Sequence, residues 1–199
     1  MTGPIEFLHK IAARPRIYDW IQILVGQREL LKRVSQQTHD LHPEIVIDVG
    51  GGTGSMRALW PTGCRYICLD LDMPKLVAFH SKVPDGLAVL GDAARMSIVS
   101  GCADIVMCKF MMHHLTDSTL TQMLDESLRV LRANGRLILI DPILNRQRLL
   151  GQMLWSLDRG SYPRTEEDLR KKLESRFKVN HWEKFVIYHE YIFGIGVRP

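Results

Sequence analysis

The stretch Asp48-Val-Gly50-Gly51-Gly52-Thr53-Gly54 packs four glycines into five positions, directly behind the apolar run Ile45-Val-Ile. A backbone without side chains can turn sharply and lie flat against a ligand. N–H groups at the start of a following helix would then point at that ligand. This is a nucleotide-type loop, and its spacing excludes two kinds of nucleotide. Read as G-x-G-x-x-G from Gly50, the last glycine position holds Ser55; from Gly52, it holds Arg57. No Gly-Lys-Ser/Thr closes the run, as a phosphate-gripping loop requires. What remains is Asp-x-Gly-x-Gly-x-Gly, carried by Asp48, Gly50, Gly52 and Gly54.

Three more stretches carry groups of chemical use. Tyr66-Ile-Cys-Leu-Asp70-Leu71-Asp72 ends a strand-like run with an acid. A carboxylate there can accept hydrogen bonds from both hydroxyls of a ribose, a geometry that nicotinamide enzymes share, so Asp70 alone does not choose the nucleotide. Asp72 reads as the cap of a helix beginning near Pro74. Leu90-Gly91-Asp92-Ala93 offers a second acid, either a ligand contact or a helix cap. Ala103–Asp117 contains Lys109, His113 and His114. Histidine suits proton transfer near neutral pH; the alternative is that the pair packs against the sheet. Asp141 closes a later strand-like run and has a similar claim.

Alternating strands and helices must position these groups. Strands are expected at Ile45–Val49, Arg65–Leu69, Leu87–Leu90, Ala103–Cys108 and Arg136–Ile140. Helices are expected after Gly54 up to Pro61, over Met73–Val83, around Ala93–Val99 and over Ser118–Leu131, the last ended by Asn134-Gly135. The strands lack strict polar–apolar alternation, which fits parallel strands buried on both faces. Such an order implies right-handed crossovers in a parallel sheet. Beyond Pro142, helices are expected over Leu144–Leu157 and Thr165–Leu173, then strands over Lys178–Tyr188 and Tyr191–Arg198. Ahead of the glycine loop, Ile5, Leu8, Ile11, Ile17, Trp20, Ile21 and Leu24 recur at helical spacing. That segment is either a lid over the ligand or a cover for the sheet.

The four motifs, in this order and at these separations, resemble the class I, Rossmann-like S-adenosylmethionine-dependent methyltransferases, in the branch that includes quinone-biosynthesis and natural-product enzymes. The resemblance spans roughly Glu44 to Arg198. It implies a three-layer αβα fold with a mostly parallel seven-stranded sheet and a C-terminal antiparallel hairpin. Residues 1–43 would form a helical N-terminal lid and 44–199 the methyltransferase domain, with a substrate-shaping insertion at about 144–175. The implied cofactor is S-adenosylmethionine, leaving as S-adenosylhomocysteine. Its contacts would come from Asp48, Gly50, Gly51, Gly52, Gly54, Asp70, Leu71, Asp92, Ala93, Lys109 and Tyr18. Lys109 departs from the serine or asparagine more usual at its position. His113 and His114 are the catalytic candidates; Trp155, Tyr162 and Arg164 are the acceptor candidates. The expected reaction is in-line methyl transfer to a small molecule, with an RNA methyltransferase or a non-catalytic binding module as the alternatives.

Composition narrows the setting. The 199 residues suffice for one domain. The net charge of +4 divides as +2 over residues 1–43, −2 over 44–143 and +4 over 144–199. That mild excess can attract an anionic substrate, but it is too dispersed for a nucleic-acid footprint. The four cysteines contain no C-x-x-C pair, so no metal site is expected and free thiols are. No secretory signal or membrane-spanning run is evident. The expectation is a cytoplasmic protein, monomeric or homodimeric.

Overall fold

The computed structural model describes residues 27–145, 162–187 and 190–199. The helical spacing read over Ile5–Leu24 and the helix expected over Leu144–Leu157 lie largely or wholly outside these residues, as do Tyr18 and Trp155. The elements are α1 (Gln27–Thr38), β1 (Ile45–Val49), β2 (Arg65–Asp70), α2 (Met73–Lys82), β3 (Leu87–Leu90), β4 (Ala103–Lys109), α3 (Asp117–Val130), β5 (Leu131–Ile143), α4 (Glu166–Glu174), β6 (Lys178–Val186) and β7 (Glu190–Val197). The strands form one sheet in the order β3-β2-β1-β4-β5-β7-β6. β1 to β5 pair in parallel. β7 runs antiparallel to both β5 and β6, which is the expected terminal hairpin.

Alternation along the strands feeds two cores, one on each face. From β1 and β4, Ile47, Val49, Val106 and Cys108 join Leu120, Met123 and Leu124 of α3 and Leu169 and Leu173 of α4. Val46, Ile105 and Met107 face the other way, onto Leu30 and Val34 of α1 and Leu76 and Phe79 of α2. The result is three layers, and every residue of β4 is buried. Its two charged residues are Lys109 at one end and Asp104 near the other. Asp104 Oδ2 accepts the Glu44 and Ile45 amides, each at 2.8 Å, and its carboxylate pairs with Arg132. It thereby ties the start of β1 to β4.

Side chains cap three of the helices, at α2 by the Asp72 expected from sequence. Asp72 Oδ1 accepts the Lys75 amide at the head of α2, Thr116 Oγ1 the Thr119 amide at α3, and Thr165 Oγ1 the Asp168 amide at α4.

Two expected helices do not form. After Gly54 there are turns and one 3₁₀ turn, Arg57–Leu59. Gly52 and Gly54 both take positive φ, 58° and 76°, which breaks a helix start. The carbonyls of Trp60 and Pro61 are taken by the Arg57 guanidinium. Residues 93–99 also form turns, because their polar groups find partners on α3 instead. The Met96 amide donates to Glu126, and the carbonyls of Met96 and Ile98 accept from Arg129. β5 begins earlier than expected, at Leu131. Its pairing with β4 jumps from Ala103↔Leu131 to Ile105↔Arg136, and Asn134, with φ 61°, makes the left-handed turn.

Candidate functional site

The chain order reverses between β1 and β4, its neighbour in the sheet. Parallel α/β sheets bind ligands in the crevice at such a switch point. The glycine loop leaves β1 there. Gly50, Gly52 and Gly54 hold φ of 67°, 58° and 76°, a region that costs L side chains energy. Space forbids side chains as well. A Cβ on Gly50 would lie 2.9 Å from Met111 Cγ, and one on Gly51 would lie 2.7 Å from Asp48 Cγ.

Asp70, at the end of β2, organises this loop. Its Oδ2 accepts the Gly52 amide and its Oδ1 the Asp72 amide, both at 2.9 Å. A carboxylate has about four acceptor positions, so capacity for further donors remains on both oxygens. Asp92, after β3, is ordered by the Ala94 amide at 2.9 Å. Gly50, Asp70, Leu71, Asp92, Ala93 and His114 all line one cleft of about 220 Å³. Leu71 is 71% exposed there, an apolar surface without a protein partner to cover most of it.

Other anticipated residues sit elsewhere. Asp48 lies one layer below the loop, 1% exposed, accepting the Tyr66 hydroxyl. Burial pushes its carboxyl up from 3.8 to about 6, against the opposing pull of the Tyr66 bond and the Lys109 charge. Lys109 is also buried under the loop, its Nζ donating to Ser55 Oγ at 2.8 Å. A carboxyl with a raised folded-state value favours the fold only while protonated. Its cost is absent below about pH 4, grows as pH rises, and is complete above about pH 6. Asp48→Asn keeps an acceptor for Tyr66 and is expected to raise stability at pH 7.5 by on the order of 2 kcal/mol. Denaturant unfolding at pH 7.5 and pH 4 checks this: the gain fades at the lower pH, and an equal gain at both rejects it.

The β4–α3 connection completes the cleft. Phe110 takes a left-handed φ of 54°, uncommon for a bulky side chain. Its amide donates to Ile140 O at 2.9 Å and its ring packs 5.3 Å from that of Tyr191. That bend sets Met111 over Gly50. A 3₁₀ turn, Met112–His114, follows. His113 points inward, with Nδ1 3.0 Å from Asp141 Oδ1 and both side chains 4% exposed. Its ring lies 4.1 Å from that of His114, which is on the cleft wall. Arg164, read from sequence as an acceptor contact, instead turns its guanidinium on the protein: Met112 O, Leu115 O, Tyr162 O and Asp117 Oδ1. Tyr162 is partly exposed, and its amide donates to His113 O at 3.0 Å.

Lys75, Phe110, Met111 and Leu115 also line the cleft and were not anticipated. For the last three the signal was their place between Lys109 and Asp117. Lys75, in the first turn of α2, had none. Among the described residues, no cluster of His, Cys, Asp or Glu could hold a metal ion, and the four cysteines are free thiols. No helix of the described residues is long and apolar enough to cross a membrane.

A family described as a methyltransferase domain matches residues 47–139. Norreticuline-7-O-methyltransferase of Papaver somniferum is 29% identical over 139 residues, covering 65% of this chain and 38% of that protein. Demethylmenaquinone methyltransferase of Thermotoga maritima is 26% identical over 126 residues, covering 61% and 54%. The small-subunit ribosomal RNA methyltransferase A of Myxococcus xanthus is 26% identical over 137 residues, covering 67% and 48%. The chain thus spans about half or less of the length of these relatives. Among solved structures, the PH0226 protein of Pyrococcus horikoshii superposes with TM-score 0.74 at 15% identity, covering 94% of this chain and 93% of that one. Magnesium protoporphyrin IX methyltransferase of Synechocystis, with S-adenosylhomocysteine bound, gives 0.72 at 19%, covering 88% and 84%. The switch-point cleft, the motifs in their order around it and the methyltransferase-domain match over residues 47–139 liken this chain to the class I, Rossmann-like S-adenosylmethionine-dependent methyltransferases.

Proposed function

We propose that this domain transfers a methyl group from S-adenosylmethionine to a small-molecule acceptor held beside the His113–His114 turn. One observation carries the reading: carboxylates from the ends of two neighbouring strands, Asp70 and Asp92, share a cleft with Gly50 and His114. The residues present fit the cofactor. Asp70 keeps acceptor capacity for the ribose hydroxyls, exposed Leu71 offers an apolar face to a purine, and Asp92 can accept from its amino group. When bound, the sulfonium supplies a methyl electrophile and a neutral leaving group, so the protein's task is alignment more than covalent help.

The chain's own residues then manage the acceptor's proton. The Asp141 carboxylate beside Nδ1 holds His113 in the tautomer with its proton on that nitrogen. His113 in turn backs His114, the imidazole on the cleft wall. An acceptor hydroxyl meeting His114 can pass its proton there as its oxygen attacks. The relatives whose names state norreticuline and demethylmenaquinone support a small acceptor.

Calorimetry with S-adenosylmethionine and S-adenosylhomocysteine, followed by methyl transfer to a panel of phenols and quinols, tests the reading. Binding of both with turnover of a panel member is the expected result. His114→Gln should then cut turnover roughly 10²- to 10⁴-fold, as loss of a general base does, with cofactor affinity changed far less. No binding of either compound would sink the proposal. Binding without turnover of any acceptor would favour a non-catalytic module.

A further inference from the structure

We propose that Arg164 is a positioning residue, fixing the His113–His114 turn from behind and with it one wall of the cleft. The inference rests on the roles given above to those histidines.

The turn Met112–His114 is a single 3₁₀ turn. The Met111 and Met112 carbonyls accept the His114 and Leu115 amides, each at 3.0 Å. One such turn fixes little by itself, since 3₁₀ hydrogen bonds are poorly aligned. The segment 162–164 supplies what the turn lacks. The Tyr162 amide donates to His113 O at 3.0 Å. Arg164 Nη1 donates to Met112 O at 2.8 Å and Nη2 to Leu115 O at 2.6 Å. Three carbonyls, two of them flanking the histidine pair and one belonging to it, are therefore held by two residues, Tyr162 and Arg164.

The guanidinium is itself held. Nε donates to Asp117 Oδ1 at 2.9 Å, Nη1 also reaches Tyr162 O at 3.2 Å, and the side chain is only 10% exposed. Its hydrogen bond is the main reason that the Asp117 carboxyl sits below its ordinary value. The Arg164 carbonyl accepts the Leu144 amide at 2.7 Å, just past the end of β5. Asp141, the partner of His113, lies on that same strand. One residue thus joins the turn that carries the imidazoles, through its side chain, to the end of the strand that carries their carboxylate, through its carbonyl.

A planar fork of five donors in fixed directions fits two carbonyls three residues apart, and a lysine ammonium does not. Arg164→Ala and Arg164→Lys should both release the turn. Asp117→Asn should not, because besides the Asp117–Lys172 ion pair it alters only the Nε contact of Arg164 and leaves both carbonyl contacts in place.

The test follows the His113 Nδ1–H signal in ¹⁵N-histidine-labelled full-length chain, assigned by its loss in His113→Gln, alongside S-adenosylhomocysteine affinity by calorimetry. In Arg164→Ala the signal is expected to broaden or vanish while a single thermal transition remains. Affinity should fall roughly tenfold, since Met111, His114 and Leu115 line the cleft. Millimolar guanidinium should restore both readouts in Arg164→Ala and neither in Arg164→Lys. A folded Arg164→Ala or Arg164→Lys protein with the wild-type signal and affinity overturns the proposal. If Arg164→Ala does not fold, Arg164→Lys alone decides by the same two readouts. Failure of the wild-type chain to bind S-adenosylhomocysteine would reject the functional reading instead, and the imidazole signal would still judge Arg164.

Discussion

Asp70→Ala should lower the affinity for S-adenosylhomocysteine by roughly 100-fold, the largest effect on binding foreseen for a single side chain here. Two losses add. The first is direct, because in the proposed site the carboxylate accepts from the ribose hydroxyls, and a hydrogen bond to a charged group is worth about 1.5–3 kcal/mol. The second is indirect. Asp70 accepts the Gly52 and Asp72 amides, so its removal leaves the glycine loop and the turn after β2 without their common tether. About 3 kcal/mol corresponds to the stated factor. Asp70→Asn separates the two losses, since the amide can keep one backbone bond but carries no charge, and it should lie between the extremes. Calorimetry on proteins shown to be folded by their thermal transition decides the matter. Unchanged affinity in Asp70→Ala would remove Asp70 from the site.

Gly54→Ala should destabilise the domain by on the order of 2–5 kcal/mol, from backbone strain of about 1–2 kcal/mol at a left-handed position plus overpacking of about 1–3 kcal/mol. The φ of 76° supplies the strain. The new methyl would sit 2.5 Å from Phe79 Cδ2 and 2.8 Å from Cε2. Phe79 is fully buried in α2, so its ring has nowhere to go without disturbing the core on that face. A change of this size should lower the melting temperature by very roughly 5–15 °C for a domain of this length. Gly63→Ala is the matched comparison, because nothing lies within 4 Å of a Cβ there. Equal melting temperatures for the two variants would show that Gly54 is not constrained as described.

The strands were legible because their evidence is local. Ile45–Val49 and Ala103–Lys109 are apolar on both faces, and burial on both faces is what the sheet gives them. The two missing helices were illegible because their evidence is not local. Residues 93–99 give their backbone bonds to Glu126 and Arg129, some thirty residues onward, and the residues after Gly54 follow glycines whose positive φ depends on what lies beneath them. The site divides in the same way. Asp70 and Asp92 could be placed from their positions at strand ends. Arg164 was misread because its partners are main-chain carbonyls, which no sequence pattern displays. Phe110 was missed because its left-handed backbone is held by Ile140 and Tyr191, on strands formed much later in the chain.

The reversal of strand order puts the cleft at the middle of the sheet, between β2 on one side and β5 on the other, while β3 and β6 form the edges. Amides inside β1 and β4 are paired on both flanks, so they can exchange with solvent only when the sheet itself comes apart. Edge strands can fray without that event. A ligand in the cleft therefore opposes the opening of the whole domain rather than of one loop, and its binding free energy adds to the global stability. The same arrangement carries a cost, because the strand end at Leu69 and Asp70 that floors the cleft cannot loosen to admit or release a ligand without drawing on the core. Exchange of cofactor and product must then depend on the parts of the chain that surround the mouth of the cleft, outside the sheet.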